Sequence, residues 1–315
     1  MSEVFVQRSK LLLNSVIFVD GQPGCGKTLF SAIIAAMDRV ELMNYTPELE
    51  NLCALGYLKK ISEDALKAMI RIQMDLFIYE TMMSRRVNLR PSDMSSVFRD
   101  VEWFTYLKRL LQKGDEVVPE RIIKENPILH FATHNLLAYS EPIFSSLDNK
   151  AYFIEVVRHP LYMVIQQTMN QEGWYTESGR ERQFQTYIKY CETEVPFWNI
   201  NKEERYLKGN PVERAIYEME IISENTKYAK INKLTEFKER ICTIPFEKFV
   251  LNPKEYLNKI KKLLNTKVTS KTKRILKKQN VPRKKISDGI PLAIYKRCGW
   301  EEPVDGFTEK DELNK

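Results

Sequence analysis

The stretch Ser15-Val16-Ile17-Phe18-Val19-Asp20-Gly21-Gln22-Pro23-Gly24-Cys25-Gly26-Lys27-Thr28 constrains the fold most. A continuous apolar run enters a glycine-rich turn, and strong helix formers follow from Leu29 to Met37. This reads as strand, loop and helix, and a strand with no polar alternation belongs in a sheet covered on both faces. Gly21 and Gly26 bracket four residues before Lys27 and Thr28, completing G-x-x-x-x-G-K-T. Glycines permit positive φ and let backbone N–H groups approach a phosphate, and the helix that follows aims its N-terminal dipole at the same anion. The loop is therefore expected to bind phosphate. Kinases, hydrolases and group-transfer enzymes all use such loops, so the rest of the chain has to say which.

Further strands are expected at Ile128–Thr133, Ala151–Val157 and Arg240–Phe246, separated by helical segments. Strands alternating with helices predict an α/β fold with a parallel sheet flanked by helices and ligands at the strands' carboxyl ends. Residues 38–125 read as a mostly helical insertion after the first βα unit, and residues 166–240 as a helical acceptor-side region dense in Trp and Tyr. With no repeats or low-complexity linkers, residues 1–315 read as one domain. The cluster Arg85-Arg86-Val87-Asn88-Leu89-Arg90-Pro91 reads equally as a device closing over an anion or as a surface turn.

All three histidines fall in one stretch. His130 lies within a strand and reads as a core residue, whereas His134 and His159 lie at strand ends, where chemistry is expected. The net charge is +7, and twelve Lys or Arg stand between Glu255 and Asp288 with no acidic residue among them. That run suits a multiply phosphorylated nucleotide or a solvated helical face. Cys25, Cys53, Cys191, Cys242 and Cys298 have no pair spacing, so neither a zinc site nor a disulfide framework is signalled, which fits a reducing, cytoplasmic setting. The apolar run after Arg8 and Lys10 passes directly into the phosphate loop and reads as a buried strand, not a signal peptide. No other stretch approaches the ~20 apolar residues of a membrane span.

Four pieces between residues 15 and 264, taken in order, resemble the sulfotransferases that use 3′-phosphoadenosine 5′-phosphosulfate (PAPS). Gln22-Pro23-Gly24-Cys25-Gly26-Lys27-Thr28 is similar to the loop that holds the 5′-phosphosulfate. Ala132-Thr133-His134 resembles the Lys-Thr-His-like motif of the catalytic base, and Val156-Val157-Arg158-His159-Pro160 the strand end that begins the 3′-phosphate site. Phe246-Glu247-Lys248-Phe249, Asn252-Pro253 and Leu257-Asn258-Lys259-Ile260 match the signature that follows. The resemblance implies PAPS as cofactor and His134 as base, with Lys27 stabilising the leaving phosphate. It further implies Arg158, Gln166, Arg283 and Lys284 at the nucleotide, no metal, and a hydroxyl acceptor such as a glycan or a small molecule. Three positions depart from the pattern: Gly24 stands where the family usually has Lys, Gln166 where it has Ser, and Lys285 where it has Gly. The alternative is a P-loop kinase or ATPase using Mg-ATP, which needs a second carboxylate, with Asp20 and Glu155 as the strand candidates. A third reading, a polyanion binder using the Lys259–Lys285 segment, lacks any nucleic-acid motif.

Overall fold

The computed structural model describes residues 4–286, Met94 excepted. Strand β1 (Ser15–Asp20) lies between β2 (Ile128–Ala132) and β3 (Ala151–Val157), and β6 (Ile241–Pro245) adds beyond β3, all parallel. Val16 to Val19 have no solvent exposure, as a central strand covered on both faces requires. On one face Phe18 stacks on Phe131 and Phe153, its register partners in β2 and β3, with ring centroids 5.7 and 4.7 Å apart. On the other face Ile17, Val19 and Ile154 pack with Phe30, Ile33 and Ile34 of α1 (Lys27–Ala35) and with Phe249.

Between α1 and β2 stand α2 (Pro47–Tyr57), α3 (Glu63–Met82), α4 (Trp103–Leu110) and α5 (Val118–Glu125). These make the helical insertion, and α3 covers the phenylalanine face by setting Phe77 edge-on to Phe131. After β2 come α6 (Glu141–Ser146), β3, α7 (Pro160–Gly173) and the short α8 (Glu177–Arg180). The chain then makes an antiparallel hairpin of β4 (Tyr187–Tyr190) and β5 (Thr193–Pro196), followed by α9 (Glu203–Lys208) and α10 (Pro211–Asn232). The 22-residue α10 starts at a capping box formed by Asn210 and Glu213, with Pro211 at its first turn. Beyond β6 are α11 (Phe246–Leu251), α12 (Pro253–Leu263) and α13 (Ser270–Lys278).

The hairpin departs from the helical reading of residues 166–240. Its two-residue turn places Cys191 at φ 51°, without the Asn-Gly or Asp-Gly pair that usually announces such a turn. His130 is fully buried in β2, and burial holds it neutral, its pKa brought down to about 3. Cys25, Cys53, Cys191 and Cys242 are free thiols, while Cys298 lies outside the described residues. No helix among the described residues is long and apolar enough to cross a membrane.

Candidate active site

Gly24 and Gly26 take φ of 87° and 96°, a left-handed backbone that side-chain-bearing residues adopt only with strain. Space enforces the same choice, since a Cβ on Gly26 would run into the Phe246 ring and one on Gly24 would press on Gln166 Cβ at 3.2 Å. Three loop carbonyls are tied by side-chain donors. Lys27 Nζ donates to Gly21 at 2.7 Å, Gln167 Nε2 to Pro23 at 3.1 Å and Arg158 Nη1 to Gly24 at 3.0 Å. In a trans peptide the N–H points opposite to the C=O, so anchoring the carbonyls sets the direction of the neighbouring amides. Lys27 keeps two further N–H donors and is largely buried.

Asp20, at the end of β1, connects this loop to the segment beyond β2. Its Oδ1 accepts from Thr133 Oγ1 at 2.8 Å and from the Leu136 amide at 3.0 Å, and its Oδ2 accepts from the Leu137 amide at 3.0 Å. Burial raises the Asp20 pKa, and these donors together with the Lys27 charge oppose the rise. His134 lies between the bonded residues, with its side chain 45% exposed. Glu50 of α2 accepts the His134 backbone N–H through Oε1 at 2.7 Å, and the same oxygen is 3.4 Å from Nδ1. The Tyr45 ring lies nearly parallel to the imidazole, centroids 6.2 Å apart and planes 17° apart.

Loop and imidazole open on one cleft of about 730 Å³, to which Pro23, Gly24, Gly26, Lys27, Thr28, His134 and Gln166 all contribute. Its far wall carries Tyr139, Trp174, Tyr175, Phe184, Phe197 and Trp198, interspersed with Asn51, Asn170, Gln183 and Gln185 and with Arg182. Gln166 turns its amide to Asn170 Oδ1 at 3.2 Å. Gly24 and Gln166 thus face each other closely enough that a Cβ at 24 would crowd the Gln166 side chain. A long side chain at 24 would need both a strained backbone and the space α7 fills.

Other expected site residues lie elsewhere. Gln22 donates to the Met219 carbonyl and to Ser223 Oγ on α10, which makes it a strut beneath the loop. Gln22, Cys25 and Arg158 line a second cavity of about 570 Å³ between the loop, the end of β3 and α10. Burial raises the Cys25 thiol's pKa. Arg283 converges with Arg158 on the Phe246 ring, their guanidinium carbons 5.7 and 4.5 Å from its centroid, and Lys284 follows it in the chain. The arginines of the 85–91 cluster are paired locally, Arg85 with Asp115 at 3.0 Å and Arg86 with Glu80 at 2.6 Å. Glu155 is held by Lys230 Nζ at 2.7 Å and by the Thr243 hydroxyl. Sequence reasoning missed Glu50, Tyr45 and Arg182. Only tertiary packing brings them to the cleft, and no local motif marks them.

No family model matches the chain, and no curated protein matches it. Among solved structures, the sulfotransferase domain of the curacin biosynthetic pathway aligns at 13% identity over 93% of this chain and 100% of that one, TM-score 0.44. The sulfotransferase domain of a Synechococcus olefin synthase aligns at 13% identity over 99% and 96%, TM-score 0.40. A Mycobacterium tuberculosis sulfotransferase aligns at 10% identity over 91% and 76%, TM-score 0.43.

Proposed function

We propose that the protein is a sulfotransferase that moves a sulfuryl group from PAPS to a hydroxyl of a glycan-like acceptor. One observation carries the reading: an anion-binding loop and an exposed imidazole line the same cleft, with Asp20 tying their backbones together. The loop suits an anionic phosphosulfate, since its left-handed glycines leave space and its anchored carbonyls direct amides elsewhere. Arg158 and Arg283, converging on Phe246, suit a 3′-phosphate, since a guanidinium has five N–H donors and Arg158 can meet a phosphate while it keeps the Gly24 carbonyl.

When bound, the nucleotide supplies an activated sulfuryl group and departs as adenosine 3′,5′-bisphosphate. His134 Nε2 takes the proton of the acceptor hydroxyl while that oxygen bonds to sulfur and the old sulfur–oxygen bond breaks. The proton then passes from Nε2 to solvent. Lys27 and the loop amides stabilise the charge left on the phosphate. The aromatic wall presents Trp174 and Phe184, 43% and 75% exposed, beside four carboxamides. Flat rings with amides between them suit a sugar, which offers C–H faces to stack and hydroxyls to bond.

The rival ATP reading calls for a strand-end carboxylate free to hold Mg²⁺. Both Asp20 oxygens are engaged by donors and Glu155 by Lys230 and Thr243, which favours the sulfuryl reading. His134→Ala should abolish transfer while leaving adenosine 3′,5′-bisphosphate binding unchanged. Undiminished turnover in that variant would remove His134 as the base.

A further inference from the structure

We infer that Glu50 is the positioning partner of His134: it holds the imidazole with Nδ1–H toward its carboxylate, so that Nε2 presents a lone pair to the cleft. The chemical consequence rests on the sulfuryl-transfer reading, but the pairing itself does not. The helical insertion thereby acquires a role, because its first helix completes the base.

The carboxylate stands on a rigid element. Pro47 opens α2, the Glu50 amide donates to the Thr46 carbonyl at 3.2 Å, and Leu49, Cys53 and Ala54 anchor the helix in the core. Glu50 Oε1 is fixed by the 2.7 Å bond from the His134 amide, and Nδ1 lies 3.4 Å from that same oxygen. An ionised carboxylate only accepts, so the nitrogen facing it is the one that carries hydrogen. Free histidine in water favours hydrogen on Nε2, which would leave nothing on that atom to take a proton, so the partner has to select the other tautomer. The Tyr45 ring lies alongside, its plane 17° from that of the imidazole and its centroid 6.2 Å away.

A simpler role exists for Glu50, that of capping the His134 amide and nothing more. Glu50→Gln and Glu50→Ala together separate the two: the Gln amide oxygen still accepts the backbone N–H and faces Nδ1 without a charge, whereas Ala removes the acceptor from both. The test uses full-length protein labelled with ¹⁵N at its imidazoles; only three histidines are present, and His134 is assigned by the signal lost in His134→Gln. We expect neutral His134 to carry hydrogen on Nδ1 in the wild type, to hold that form less strongly in Glu50→Gln and to shift to the Nε2–H form in Glu50→Ala. An Nε2–H tautomer in the wild type, or an Nδ1–H tautomer that survives in Glu50→Ala, overturns the pairing. In turnover of PAPS with a panel of mono- and disaccharides, Glu50→Gln should lose about tenfold to a hundredfold in kcat, the range expected for a misplaced catalytic group. Its affinity for adenosine 3′,5′-bisphosphate should stay unchanged. Unchanged kcat in an active enzyme counts against the positioning role. A wild type with no sulfuryl transfer overturns the proposed function instead, and the tautomer measurement still decides the pairing.

Discussion

A methyl group on Gly26 would meet the Phe246 ring, and the backbone there is left-handed. Both penalties act on the residue that ends the loop and begins α1, so Gly26→Ala tests whether loop shape governs nucleotide affinity. Strain of about 1–2 kcal/mol is expected for a non-glycine residue held in this conformation, before the ring has moved. The variant should melt several degrees lower and bind adenosine 3′,5′-bisphosphate at least tenfold more weakly, by scanning calorimetry and titration. Wild-type affinity would mean the loop tolerates a different shape. Lys27 is a different matter, because its ammonium serves two ends: it bonds the Gly21 carbonyl and sets a positive charge near buried Asp20.

At the scale of elements, the aromatic wall of the cleft is held by packing of α7 against α10. Glu218 on α10 accepts from Gln171 Nε2 at 2.8 Å and from Trp198 Nε1 at 3.0 Å, and Tyr206 donates to Gln171 Oε1 at 2.9 Å. Trp198 lines the cleft, so this buried network fixes part of the acceptor wall. Burial pushes the Glu218 pKa up to about 8, with the Trp198, Asn199 and Gln171 bonds opposing it, from an ordinary value of 4.5. Between those two values the native state retains a proton that the unfolded chain has lost. Stability from this group is therefore full below about pH 4.5 and declines as pH rises through about 8. The wild-type Tm should fall between pH 5 and pH 8, and Glu218→Gln should flatten that fall. Parallel slopes in the two proteins would show that Glu218 does not carry it.

The whole molecule places its chemistry where a parallel sheet does, at the carboxyl ends of β1, β2 and β3, with the insertion on one side of the cleft and the 166–240 region on the other. What the sequence made legible was local. The β1–loop–α1 unit declares itself within fourteen residues, and the apolar strands state their own burial. What it hid was pairing over distance. Glu50 and His134 are 84 residues apart, and nothing in either neighbourhood requires the other. The β4–β5 hairpin escaped because Cys191 is an unusual residue for its turn. The sequence puts Gln22 in the phosphate loop and, by resemblance, Arg158 at the 3′-phosphate, yet their bonds to α10 and to the Gly24 carbonyl depend on how the elements around the loop dock. The most direct test of the account is calorimetric titration of the full chain with adenosine 3′,5′-bisphosphate, alongside Mg-ATP and with Arg158→Ala as the control. We expect preference for the bisphosphate and a loss of about tenfold to a hundredfold in Arg158→Ala, the effect of a charged hydrogen bond worth about 1.5–3 kcal/mol. A preference for Mg-ATP that Arg158→Ala leaves intact would contradict it.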